Sequence, residues 1–194
     1  MKYVINALLI LLIAYLCFRL YSSIKEPIAF GDVKNKRVNA VVAQLQQIQK
    51  AQEIYRDITG EFAASFDTLT HVLKYDSIPF VNLIGDPDDP ENMDKVERVV
   101  TYSPAIDTII ALGINLDSMM YVPFADRGTK FDIDADTMTY QNSMVSVTEV
   151  GTRWRVFMGK FADPLYQKYD SAYDPDARIK FGDMNKPTLT GNWE

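Results

Sequence analysis

Hard-oxygen metal ligation is the first chemistry the acidic clusters of this chain suggest. Residues Gly85 to Asp94 read GDPDDPENMD, and Asp86, Asp88, Asp89, Glu91 and Asp94 gather five carboxylates in one short stretch. Such a run has two readings: a calcium-ligating loop, or an exposed connection whose like charges and prolines keep it in solvent. A second cluster, Asp132, Asp134 and Asp136, begins like a calcium loop. Its sixth and twelfth positions hold Thr137 and Ser143, where an EF-hand needs Gly and Glu, so the alternation fits a strand and turn better. An acid pair for general acid–base catalysis drawn from these three would need a cleft around it.

Other reactive groups are sparse. The one histidine, His71, sits beside Val72 and Leu73, a pattern that suits a helix surface better than a triad or zinc site. The one cysteine, Cys17, lies inside an apolar run, so an intrachain disulfide and a thiolate zinc site are both excluded. Phosphate-binding glycine loops and the G-x-S-x-G elbow are absent. No enzyme activity and no cofactor are expected from this inventory.

Charge narrows the partners. The 194 residues carry 20 Lys and Arg against 26 Asp and Glu, a net charge of -6. Setting aside Lys2, Arg19, Lys25 and Glu26 of the first thirty residues leaves 17 basic and 25 acidic groups, so the remainder is more acidic still. A body that acidic repels phosphate backbones, and nucleic acid is not an expected partner.

The elements that carry these residues begin with Tyr3 to Ser23, about 21 residues that as a helix span about 31 Å, the thickness of a hydrocarbon core. Residues 1–24 are expected to be a transmembrane anchor in the lipid bilayer. Arg19 can snorkel, and Tyr3, Tyr15, Phe18 and Tyr21 form belts toward its ends. A cleaved signal peptide fits less well, because the n-region has only Lys2 and the residues near Ser23 make a poor cleavage site. Orientation has two readings. Lys25, Lys34, Lys36 and Arg37 after the span favour a cytoplasmic C-terminal domain, whereas the short tail ahead of it is the layout of an exported signal anchor. The expectation taken is export, with the anchor in the inner (cytoplasmic) membrane and the domain in the periplasm.

Pro27 and Gly31 predict a break, so 25–33 is expected to be a juxtamembrane linker, with Asp32 capping a stalk helix over 34–60. In the stalk Val38, Val41, Val42, Leu45, Ile48, Ala51, Tyr55 and Ile58 recur at spacings of three and four, and Gly60 stands as a C-cap. The stripe either packs on the chain's own sheet or forms a seam with another chain, in which case Val38, Val41, Leu45, Ile48 and Tyr55 are the interaction residues.

The stretch from Arg37 through Ala51 to Asp57, then Thr59 to Phe62 and Ser65 to Leu69, resembles the helix-to-loop region of type IV pilins and pseudopilins. That resemblance covers about seventy residues and implies an anchor, a stalk and an antiparallel sheet packed on it. It also implies a structural or assembly subunit of a cell-envelope complex, meeting other envelope or membrane proteins or its own copies. Two features depart from the family: no Gly-Phe processing site precedes the apolar run, and Asn6 is the nearest polar group where a glutamate is usual. The ending Gly191 to Glu194 is similar to that of membrane-anchored proteins of Bacteroidota-type bacteria, a likeness that implies no activity. A ligand-binding or sensing module attached to a membrane complex is the alternative, and a deep apolar pocket with converging polar groups would favour it.

After a short helix capped by Ser65 and running to Leu73, the pattern turns to period two. Expected strands are Ile78–Ile84, Arg98–Ser103, Thr108–Leu112, Met119–Phe124, Thr129–Ile133, Met144–Val150 and Trp154–Phe161. The fold class is therefore α+β, with a strand-rich domain over 61–162 and an irregular, partly ordered C-terminal tail over 163–194. In that tail Tyr166, Tyr169, Tyr173, Phe181 and Trp193 among Pro and Asp residues suggest that it wraps the domain or reaches a neighbour.

Overall fold

The structure, a computed structural model, describes residues 2–84 and 97–193. Its first element is one helix, α1 (Lys2–Thr59), about 87 Å long at 1.5 Å per residue. The break expected at Pro27 and Gly31 does not occur, and the expected linker over 25–33 is helical. Proline within a helix removes one N–H bond, and helix lies on both sides of it here to hold the register. Phe30, three residues later, is 2 % exposed and anchors the helix to the domain. The helix ends at Gly60, whose φ of 85° suits a left-handed cap and whose N–H donates to the Arg56 carbonyl at 2.8 Å.

Beyond the helix, Ser65 caps α2 (Phe66–Tyr75), accepting from the Thr68 N–H at 3.2 Å. An antiparallel ribbon follows, β1 (Ser77–Ile84) with β2 (Glu97–Pro104), in register Ser77 with Pro104. Then come α3 (Ala105–Ala111), β3 (Asp132–Tyr140), β4 (Ser143–Arg153), α4 (Trp154–Met158), 3-10 turns at Gly159–Phe161 and Pro164–Lys168, and β5 (Arg178–Gly182). The fold is α+β, but with two small antiparallel sheets in place of one: the ribbon, and a sheet of order β3-β4-β5.

Several expected strands are something else. Thr108–Leu112 falls largely in α3, because Ala105 and Ile109 bury together at helical spacing and Gly113, at φ 68°, ends the turn. Trp154–Phe161 is helical for a related reason: Trp154, Phe157, Met158 and Phe161 recur at three and four, and the last three are buried. Met119–Phe124 and Thr129–Phe131 are a turn-rich loop joined by a single bridge, Tyr121 with Lys130. Consecutive burial of Met119 and Met120 breaks the alternation a strand requires.

The C-terminal segment is more ordered than an irregular tail. Ile179 and Phe181 alternate inward in β5, which pairs with β4 from Glu149–Gly182 to Arg153–Arg178. Gly151 permits that pairing, since a Cβ there would lie 2.5 Å from the Ile179 carbonyl oxygen. Asn192 then closes the free edge of β5: its N–H donates to the Lys180 carbonyl, its Oδ1 accepts from the Lys180 N–H, and its Nδ2 donates to the Arg178 carbonyl, at 3.0, 3.0 and 2.8 Å.

The core forms around the second half of α1. Val41, Leu45, Ile48 and Ala51 are fully enclosed, with Leu69 and Leu73 of α2, Ile109 of α3, Val150 of β4 and Phe181 of β5 in the same cluster. The largest buried polar group on α1 is Gln52, whose amide pairs with the backbone of Ala63: Nε2 donates to its carbonyl at 2.8 Å and Oε1 accepts its N–H at 2.9 Å.

Candidate functional site

The stripe over Val38, Val41, Leu45, Ile48 and Tyr55 packs within this chain. Val41, Leu45, Ile48 and Tyr55 are buried in this chain's own core and Val38 packs against it. A seam between chains at the buried members of the stripe would require opening that core.

The acidic positions separate. Asp86, Asp88, Asp89, Glu91 and Asp94 lie outside the described residues. Asp132, Asp134 and Asp136 alternate on the exposed face of β3. Asp132 pairs with Arg178 at 3.0 Å, while Glu149 of β4 holds Arg178 at 3.3 Å and Lys180 at 2.5 Å, a charged ladder across the outer face of the sheet. Asp136 accepts from the Thr137 N–H at 2.7 Å. Among the described residues no group of three or more His, Cys, Asp or Glu side chains is placed to hold a metal ion. His71 is exposed on α2, its ring 5.0 Å from that of Tyr75.

What the fold does bring together is a junction where α1 leaves the domain. The apolar stretch of α1 up to Ile24 is exposed along its whole length, and α1 is, among the described residues, the one helix long and apolar enough to cross a membrane. At its lower end Phe30 is boxed by aromatic rings: Tyr166 stacks on it at 5.5 Å, while Phe161 and Tyr173 meet it edge-on at 5.6 and 5.1 Å. The rings reach the helix because α4 and the two 3-10 turns fold back along it. Three polar contacts fix that return. Tyr169 donates to Glu26 Oε2 at 2.7 Å, Arg37 donates to the Phe157 carbonyl at 2.5 Å, and Lys34 pairs with Asp170.

The electrostatics follow from those contacts. The Lys34 ammonium, through its hydrogen bond first, holds the Asp170 carboxyl below the usual carboxylate range; burial opposes the shift and the Ala172 N–H assists it. Burial pushes the Tyr173 hydroxyl up to about 12, and that hydroxyl donates to the Phe161 carbonyl at 2.7 Å.

A second exposed surface is the ribbon. Val81, Val100 and Tyr102 share one face across β1 and β2, with Val81 59 % and Tyr102 68 % exposed, and Tyr75 leads into it. The ribbon pairs with no third strand among the described residues. Sequence reasoning did not single out the junction or this face. Its one signal for the junction was the aromatic content of the segment after Asp163, namely Tyr166, Tyr169 and Tyr173. Comparison of the chain with protein-family models, with curated proteins and with solved structures found no match.

Proposed function

We propose that the chain is a membrane-anchored structural or assembly subunit of a cell-envelope complex, pilin-like in layout and acting through protein–protein contacts. The observation that carries this reading is the division of α1: one continuous helix, apolar and exposed through Ile24, then the spine of the core from Val41 to Tyr55. Such a helix joins an anchor to a domain without a flexible linker, which suits holding a body at a fixed place rather than turning over a substrate. The exposed apolar face of Val81, Val100 and Tyr102 supports contact with another envelope protein, since an apolar face on a two-strand ribbon is stabilised by a covering partner. The anchor lies in the inner membrane with the domain on the periplasmic side.

The test combines membrane fractionation with native purification. Alkaline carbonate should leave the full-length chain in the pellet, externally added protease should cut the domain in spheroplasts, and mild detergent should release it with defined partner chains. Substituting Tyr102→Ser with Val100→Ser should weaken that association while the chain stays in the membrane. Recovery of the chain in the carbonate supernatant, or as a bare monomer under every mild condition, would refute the proposal.

A further inference from the structure

At the level where the apolar half of α1 ends, cations from two distant parts of the sequence come to one place. Arg19 and Lys25 stand on α1, while Lys160 and Lys168 arrive on the two 3-10 turns. They border two recesses that share Ser22 and Glu26. One, of about 400 Å³, has an aromatic wall of Phe18, Tyr21 and Phe161 with Lys25 and Lys160 at its rim. The other, of about 210 Å³, is polar and holds Arg19, Ser23 and Lys168. The three lysine ammoniums lie over rings, Lys25 over Tyr21 at 5.5 Å, Lys160 over Phe161 at 4.8 Å and Lys168 over Tyr169 at 4.4 Å.

Neighbouring carboxylates cancel only part of this charge. Glu26 is engaged by the Tyr169 hydroxyl and stands 4.0 Å from Lys168, and Asp163 caps the Leu165 N–H at 2.8 Å. Four cations thus face two carboxylates, which leaves an excess of positive charge at this place in a chain whose net charge is -6. Between Lys160 and Lys168 the turn presents Leu165, 73 % exposed.

We propose that this collar binds the phosphates of anionic phospholipids in the leaflet on the domain's side, with Leu165 entering the headgroup region. The inference rests on the membrane reading of α1. Its occupant follows from chemistry: acyl chains match the exposed apolar helix above, and phosphate oxygens match ammonium and guanidinium groups at the helix's end. The domain is thereby seated against the bilayer.

The test uses the full chain carrying Cys17→Ser and Leu165→Cys, labelled at residue 165 with an environment-sensitive fluorophore. It is reconstituted into vesicles of phosphatidylcholine alone and of phosphatidylcholine mixed with phosphatidylglycerol. Flotation after alkaline carbonate reads insertion of α1 independently of the label. The expected result is equal flotation in both vesicles, with a blue-shifted label only where phosphatidylglycerol is present, and the shift diminished by salt. Lys160→Gln and Lys168→Gln should each lower the docked-to-free ratio about fivefold; both side chains are exposed, and far-ultraviolet circular dichroism checks the fold of each variant. An identical label signal in both vesicles with α1 inserted would overturn the collar. A shift that survives both substitutions would overturn phosphate recognition by these lysines. Failure to float in either vesicle would instead overturn the membrane reading itself.

Discussion

Gln52 offers the sharpest test of how α1 is tied to the rest of the chain. Its side chain is fully buried, and its amide makes two hydrogen bonds to the backbone of Ala63, itself 1 % exposed. Gln52→Leu keeps the volume approximately but strands both the N–H and the C=O of Ala63 away from water. Each buried unsatisfied group costs about 1–3 kcal/mol, offset in part because the amide of Gln52 no longer has to be desolvated. The expected net loss is about 3 kcal/mol, a large share of the ~5–15 kcal/mol that holds a domain folded. At roughly 2–4 °C per kcal/mol for a chain of this size, the melting temperature should fall by about 6–12 °C. The assay is thermal unfolding of the full chain in detergent, followed by near-ultraviolet circular dichroism.

Gln52→Glu sharpens the same test through pH. The protonated acid can donate to the Ala63 carbonyl and accept from its N–H, restoring both bonds, while the carboxylate faces that carbonyl with a second acceptor. Burial and this mismatch raise the folded-state pKa of the glutamic acid above its unfolded value of about 4.3. The variant is therefore most stable below that unfolded value. It loses up to about 1.4 kcal/mol per pH unit as pH rises from there to the folded value, and levels off beyond it. A wild-type-like melting temperature for Gln52→Leu, or a Gln52→Glu deficit that does not change between acid and neutral pH, would refute the reasoning.

Three further outcomes are expected. Tyr173→Phe should cost about 1 kcal/mol at neutral pH by removing the bond to the Phe161 carbonyl. Because burial raises the Tyr173 hydroxyl to about 12, its stabilisation is present below the unfolded value near 10 and lost as pH rises toward 12, so the variant's alkaline melts should fall less steeply. Asp170→Asn should flatten the acid limb, since a carboxyl held low by Lys34 contributes stability above its unfolded value of about 3.9 that is lost as pH falls through the folded one; melts below pH 4 check this. Gly151→Ala should cost at least about 2 kcal/mol by forcing β4 and β5 apart at Ile179, seen as faster amide hydrogen exchange in β5 than in β3.

Legibility in the sequence tracked how local the cause was. The stripe from Val41 to Tyr55, the Gly60 cap and the Ser65 cap are each set by residues a turn apart, and each was readable. Trp154, Phe157, Met158 and Phe161 also carry a helical period, but the period-two pattern expected after Leu73 extends a strand over them. Ile179 and Phe181 alternate as a strand should, although the Pro and Asp residues around them suggested a tail. Pro27 misled in the other direction, because a local rule for helix breaking says nothing of a domain that grips the helix three residues later. The collar had no local signature at all, since Lys168 meets Arg19, and Lys160 meets Lys25, only after the segment following α4 has folded back along α1.

Pro27 and the junction make sense together. Proline leaves the Ser23 carbonyl without its helical partner and so creates one soft point in a rod of 58 residues. That point lies at the exit from the domain, between Glu26, held by Tyr169, and Phe30, boxed by Phe161, Tyr166 and Tyr173. Contacts from the segment after α4 therefore splint the helix from outside at the place where its own hydrogen bonds are weakest. The direction in which the apolar half leaves the domain is then a tertiary property, set by one aromatic cluster and one tyrosine–carboxylate bond, rather than by the helix alone. In the proposed membrane setting the same segment carries Lys160, Leu165 and Lys168, so the turns that fix the helix's exit also supply the groups that meet the lipid. Contact with the bilayer and the angle of the helix are, on this geometry, coupled through a single short stretch of chain.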